Sequence, residues 1–149
     1  MLTYLSPSRF SKKETAVAFA GINYLAVMVA AAVALLASTG WYVVLGRILA
    51  APLEGGEKSG AALPNVLAIV GYVVMSFMLA GLIGHLGPGQ VTVANGVVSG
   101  GFVWFGFVLP PMTVNYSYSG RSSGRFATQA GNWLIVLIVI GAVLGGFGV

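Results

Sequence analysis

The sequence contains no cysteine and no aspartate, and charged residues make up only 7% of its 149 residues. Without cysteine the chain cannot form a disulfide, a thiolate metal site or a cysteine nucleophile. Soluble domains carry roughly 25% charged residues, so this composition excludes an ordinary soluble domain. The formal net charge of +4 is small, and it gives no reason to expect nucleic-acid binding.

The few carboxylates are Glu14, Glu54 and Glu57, and all three lie outside the long apolar segments. The chain therefore lacks the intramembrane carboxylate that marks most ion-coupled pumps. It also lacks a paired acid for hydrolysis, a Ser-His-Asp set and a phosphate-binding loop. We expect a protein that is not an enzyme, with no catalytic residue, no metal and no cofactor.

Apolar residues, by contrast, make up 58% of the chain. Residues 15–46 include no charged side chain and no histidine, and the 22 residues 21–42 would form a helix about 33 Å long, at about 1.5 Å per residue. A membrane-spanning helix needs about 20 apolar residues. A signal peptide has an apolar core of only about 7–15 residues, so we expect a retained transmembrane helix.

Three more apolar segments follow, and glycine and proline mark their limits. Gly87-Pro88-Gly89 predicts the turn of a helical hairpin, and Pro110-Pro111 is expected to end or kink the third span because two backbone donors are lost together. The sequence predicts an all-α, polytopic four-transmembrane-helix bundle in residues 16–149, behind an N-terminal tail at 1–15. Its approximate spans are 19–46, 64–86, 91–111 and 126–148. The expected interfacial anchors are Lys12, Lys13, Trp41 and Tyr42.

Several short motifs resemble a known family. They are Ile22-Asn-Tyr-Leu-Ala-Val27, Gly40-Trp-Tyr42, Gly106-Phe107, Asn115-Tyr116, Gly120-Arg121, Gln129-Ala-Gly131 and Gly141-Ala-Val-Leu-Gly145. In this order the chain resembles a domain-of-unknown-function family of small bacterial four-helix membrane proteins. It departs from that pattern before Gly21, in a shortened first loop and at Pro110-Pro111. The resemblance implies fold and membrane location but no activity, and it favours cytoplasmic polar loops.

Small residues form the strongest pattern after hydrophobicity. Glycines four residues apart allow two helices to approach closely, and they occur in the third and fourth spans, while Ala80-Gly81 and Gly84 extend the pattern to the second. Two interpretations stay open: the glycines pack the protein's own helices, or one glycine face docks another subunit. The candidate packing or partner residues are Gly81, Gly84, Gly96, Gly100, Gly141 and Gly145.

Polar side chains within the spans need partners, because an unpaired amide in hydrocarbon costs several kcal/mol. Interhelical hydrogen bonds explain them, and a polar ligand site or permeation pathway is the alternative. This candidate intramembrane cluster comprises Asn23, Asn115, Gln129 and Asn132. His85 is expected to cap a helix end rather than to bind a metal or haem. Packing and anchoring explain the aromatic residues with fewer assumptions than a pigment or quinone site: Phe102, Trp104, Phe105, Phe107 and Trp133.

Together these observations predict a non-catalytic integral membrane protein that acts through helix–helix contacts. We expect an accessory or assembly subunit of a larger complex, for example a respiratory or photosynthetic one, in a bacterial inner membrane. The alternative is a small oligomeric channel or transporter for a neutral or lipid-like solute. Expected partners are membrane lipid and other membrane subunits or a second copy, and no nucleic acid.

Overall fold

A computed structural model describes residues 21–49, 62–87, 89–119 and 123–148, and every regular element in these ranges is helical. The elements are α1 (Tyr24–Leu49), α2 (Ala62–Gly84), α3 (Val93–Val103), a π-helical turn (Trp104–Val108), α4 (Leu109–Ser119) and α5 (Ser123–Phe147). Because α3, the π-helical turn and α4 are continuous, they form one span.

Four helical segments of the described chain are long and apolar enough to cross a membrane: Tyr24–Leu45, Leu63–Gly84, Val93–Ser119 and Ser123–Phe147. The prediction of an all-α, four-transmembrane-helix bundle is confirmed. The predicted tail at 1–15, with the anchors Lys12 and Lys13, lies outside the described residues.

Helix α5 lies at the centre of the bundle. It packs most extensively against α3 and then α1, and it also contacts α2 and α4. Helix α2 contacts α1, α3 and α5, whereas α1 and α3 do not touch within the described residues. The end where α1 and α4 end and α5 begins is called the loop end, and the opposite end, with the α2–α3 turn, is called the turn end.

The core combines small side chains on α1 with branched ones on α5. Ala26, Ala30 and Ala34 are fully buried and four residues apart, so they lie along one face of α1. On α5 the corresponding buried set is Val136, Ile140 and Leu144. The outward faces carry large apolar residues, which is typical of helices surrounded by lipid.

The contact between α3 and α5 is a backbone contact, which we call the glycine seam, made by Gly96, Gly100, Gly141 and Gly145. A Cβ added at Gly96 would overlap the carbonyl oxygen of Gly141, and one added at Gly141 would overlap that of Gly96. A Cβ at Gly100 would lie 2.8 Å from the carbonyl carbon of Leu137. The seam glycines are therefore packed inside the chain, while Gly81 is buried and Gly84 exposed on α2.

The third span differs from the sequence-based limit at 111, because it stays helical through Pro110 and Pro111 to Ser119. The peptide N–H of Leu109 bonds the carbonyl of Trp104, five residues back rather than four. This π-type turn widens the helix directly before the prolines, where their rings would otherwise meet the preceding turn. A local π-helical turn, rather than a helix end, accommodates the two prolines.

We predict that Gly96→Ala lowers the free energy of unfolding by about 1–3 kcal/mol, because its methyl group must push two backbones apart. Thermal unfolding in detergent measures the loss. Gly40→Ala is the matched control, since its Cβ meets nothing within 4 Å and it carries the same gain in helix propensity. Equal stability of the two variants would contradict the backbone contact at the glycine seam.

Candidate functional site

Two tryptophans bind the backbone of α5 near the loop end. The indole Nε1 of Trp41 donates a hydrogen bond to the carbonyl of Thr128 at 3.0 Å, and that of Trp104 donates to the carbonyl of Ala130 at 2.8 Å. The Trp41 ring lies over Gly131, where an added Cβ would be 2.7 Å from Cζ2. Trp41, predicted as an interfacial anchor, therefore also fastens α1 to α5.

Further ring contacts surround the same segment of α5. The Tyr116 hydroxyl donates to Oε1 of Gln129 at 2.5 Å, and its ring meets Phe126 edge-on at 5.0 Å. The rings of Tyr72 and Trp133 are 6.2 Å apart and tilted. We call Trp41, Tyr72, Trp104, Tyr116 and Trp133 the aromatic layer. It ties α1, α2, the π-helical turn and α4 to α5, and Tyr42 is half-buried beside Trp41.

Two buried oxygens beside the aromatic layer have no hydrogen-bond partner among the described residues: Oγ of Ser76 and Oδ1 of Asn132. Ser76 is fully buried on α2, one turn from Tyr72, and Asn132 precedes Trp133 on α5. Because Tyr72 contacts Trp133, both oxygens belong to the packed region around the α2–α5 contact. Unpaired buried polar groups are uncommon and costly, so these two oxygens are atoms at which a bound water or polar group would be stabilising.

The structure does not bring together the four amides of the predicted polar cluster. Asn23 lies at the turn end, where its Oδ1 accepts from the peptide N–H of Ala26 at 3.2 Å and caps α1. Asn115 is exposed on α4. Gln129 and Asn132 are three residues apart on α5, and Gln129 is bonded by Tyr116, the neighbour of Asn115, rather than by Asn115 itself. The antiparallel course of α1 explains the separation, because its 26 residues cover about 39 Å at about 1.5 Å each.

His85 lies at the turn end, exposed, with Nδ1 2.6 Å from the carbonyl of Gly81. It follows the last residue of α2, as expected for a capping side chain. The turn beyond it contains Gly87 and Gly89 at positive φ. Asn95 Nδ2 donates to the Gln90 carbonyl at 2.7 Å and closes the turn against α3. Within the described ranges, no three His, Cys, Asp or Glu residues gather into a metal-binding group.

The phenylalanines considered for a pigment site face outward. Phe102, Phe105 and Phe107 are exposed, whereas Trp104 and Trp133 are half-buried against α5. An apolar groove that sequence reasoning missed lies elsewhere, between α1 and α2, with a volume of about 320 Å³. Its lining includes Tyr24 and Phe77, whose rings stack at 6.4 Å. No sequence spacing points to it, because it depends on how α1 crosses α2.

The family model of a protein of unknown function, DUF1761, matches residues 25–145 and runs through all four spans. The chain belongs to the DUF1761 family. Among curated proteins and solved structures, none matches it. The resemblance predicted from the motifs is confirmed at the level of the family. In this DUF1761 chain, the matched range contains the glycine seam and the whole aromatic layer.

We predict that Tyr116→Phe lowers the free energy of unfolding by about 0.6–1.7 kcal/mol, because it leaves Gln129 Oε1 without a donor inside the membrane. Thermal unfolding in detergent reports the change. Tyr118→Phe, on the same helix but 88% exposed, is the control and should stay within about 0.5 kcal/mol. Equal unfolding temperatures of the two variants would refute the contribution of the Tyr116–Gln129 hydrogen bond.

Proposed function

We propose that this DUF1761 protein is a non-catalytic accessory or assembly subunit of a larger membrane complex. The observation that carries the proposal is the position of the third span. Only 6% of its apolar window is buried, against 28%, 33% and 44% for the other spans. The third span therefore lies at the periphery, with most of its apolar length available to another membrane protein.

The distribution of side-chain chemistry supports a structural role over a catalytic one. The hydrogen bonds at the aromatic layer join helix to helix, and those at the turn end cap helices and close a turn. His85 is exposed just after the end of α2, about 20 Å along that helix from Tyr72 of the aromatic layer, at about 1.5 Å per residue. Catalysis would require a nucleophile and a base close together at a binding site, and the described residues provide no such pair around His85.

We further propose that the protein resides in a bacterial inner membrane with both polar loops in the cytoplasm. The side of the two polar loops has four basic residues, one more than the N-terminal segment has, and the positive-inside rule counts such residues: Arg47, Lys58, Arg121 and Arg125. The N-terminal segment carries Arg9, Lys12 and Lys13, so the charge balance itself is close. The resemblance to the family, which favours cytoplasmic polar loops, is the other support for this orientation.

Gentle detergent extraction of the tagged protein from its native membrane tests the role. We expect a particle larger than the 15.3 kDa chain with its micelle, containing other membrane proteins in fixed stoichiometry. Mass photometry measures the particle, and mass spectrometry of the purified particle measures the stoichiometry. Recovery of a lone monomer under these conditions would refute an accessory role.

A second candidate is a small oligomeric channel or transporter for a neutral or lipid-like solute. The unpartnered oxygens of Ser76 and Asn132 favour it, because a polar solute would supply the missing hydrogen bonds. Glycerol or urea flux into proteoliposomes tests it. Flux should disappear with Asn132→Leu and persist with Asn115→Leu, since Asn115 is exposed on the outer surface. Absence of flux through the wild-type protein would refute a channel or transporter function.

A further inference from the structure

We propose that the outward face of the third span at Gly106 docks a transmembrane helix of a different protein, which places a hydroxyl or amide donor against the Gly106 carbonyl. The inference rests on the proposed function and names its surface and its partner's chemistry. Its starting point is the hydrogen bonding of the π-helical turn.

The carbonyl of Gly106 has no peptide donor in the following turn. In an α-helix its partner would be the N–H of residue 110, and in a π-helix that of residue 111, but both are prolines and have no N–H. The N–H of Leu109, three residues on, bonds the carbonyl of Trp104 instead. The carbonyl of Phe105 is in the same position, because the Leu109 N–H is taken by Trp104 and its π-helical donor would be Pro110. The turn thus accommodates the prolines and leaves the carbonyls of Phe105 and Gly106 without a peptide donor, and Gly106 is the one that has no side chain of its own.

This carbonyl lies within the apolar part of the third span. Gly106 is 13 residues from either end of Val93–Ser119, so we place it in the hydrocarbon region. It is exposed, and a Cβ added there would meet nothing within 4 Å. Lipid chains have no hydrogen-bond donor, so a bare carbonyl facing them is strongly unfavourable. The site therefore favours an occupant that brings a donor.

The surrounding surface is shaped to receive a helix. The residues opposite the glycine seam are exposed and four apart, and they form a ridge along the span: Val98, Phe102, Gly106, Pro110, Val114 and Tyr118. Gly106 and Pro110 make a notch in this ridge between Phe102 and Val114. A glycine notch lets a second helix backbone come close enough for its side chain to reach the carbonyl.

A second copy of the chain is a poor match for this notch. A two-fold axis through the ridge would set Gly106 opposite itself, and two acceptors would face each other. The nearest hydroxyl further along the span belongs to Thr113, and it already donates to the carbonyl of Leu109 at 2.8 Å. A partner with its own donor at mid-membrane depth resolves the mismatch, so the partner is a different chain.

Energy transfer in phosphatidylcholine vesicles tests the recognition directly. Because the chain has no cysteine, a single cysteine added at its C-terminus can carry the donor fluorophore. The acceptor is a polyleucine transmembrane peptide with either serine or alanine at its centre. We expect the serine peptide to bind wild-type protein about threefold to tenfold more tightly, because only serine donates a hydrogen bond.

Two variants should remove this preference by different routes. Gly106→Leu covers the carbonyl, and the double substitution Pro110→Ala with Pro111→Ala gives that carbonyl an internal N–H donor, from residue 110 in an α-helical turn or residue 111 in a π-helical turn. Gly40→Leu is the control, because Gly40 is exposed on α1 and a Cβ there also meets nothing within 4 Å. Thermal unfolding of all three variants checks that the bundle is intact. A serine preference that is absent in the wild type, or unchanged in Gly106→Leu, would overturn the proposal.

Two further results separate this proposal from the function on which it rests. If labelled copies of the chain associate with one another through Gly106, the partner is a second copy and the proposal is wrong. If the large native particle survives Gly106→Leu unchanged, the accessory role stands but this face is not its docking surface. A wild-type protein that is extracted alone from native membranes would instead refute the accessory role itself.

Discussion

The bundle depends on the direct backbone contact between α3 and α5 at the glycine seam. In lipid the hydrophobic effect does not drive helices together, so close van der Waals packing and interhelical hydrogen bonds must do so. Glycine allows the close van der Waals packing, since Gly96 and Gly141 approach with no side chain between them. The interhelical hydrogen bonds come from the indole N–H groups of Trp41 and Trp104, which hold α1 and the third span against the first turns of α5.

Concentrating the packing on α5 leaves the third span at the periphery. Its inward ridge enters the seam, and its outward ridge carries Phe102 and the notch at Gly106 into the membrane. A π-helical turn precedes the adjacent prolines, and the carbonyls of Phe105 and Gly106 have no peptide donor there. A feature that is unfavourable for a lone bundle becomes favourable when a neighbouring helix supplies a donor. Our proposal that the protein is a subunit of a larger complex draws on this feature.

The four spans follow from the sequence because a bilayer allows only helices of about 20 apolar residues or closed barrels. The glycine seam was among the predicted contacts, since GxxxG spacing indicates close approach. At Pro110-Pro111 the sequence left two outcomes open, a helix end or a kink, and it could not indicate the π-helical turn, which has no spacing signal of its own. The sequence also could not distinguish the roles of two asparagines: Asn23 caps α1, whereas Asn132 is buried on α5. Only the antiparallel course of the helices separates them.

The central claim is the backbone contact between Gly96 and Gly141, and dipolar recoupling NMR in lipid bilayers measures it most directly. An added Cβ at Gly96 would lie 2.7 Å from the carbonyl carbon of Gly141. A carbon–carbon bond adds about 1.5 Å, so the Gly96 Cα lies within about 4.2 Å of that carbon. We expect a strong cross-peak between these two nuclei in carbon-13-labelled protein. A separation typical of helices with intervening side chains would contradict the account.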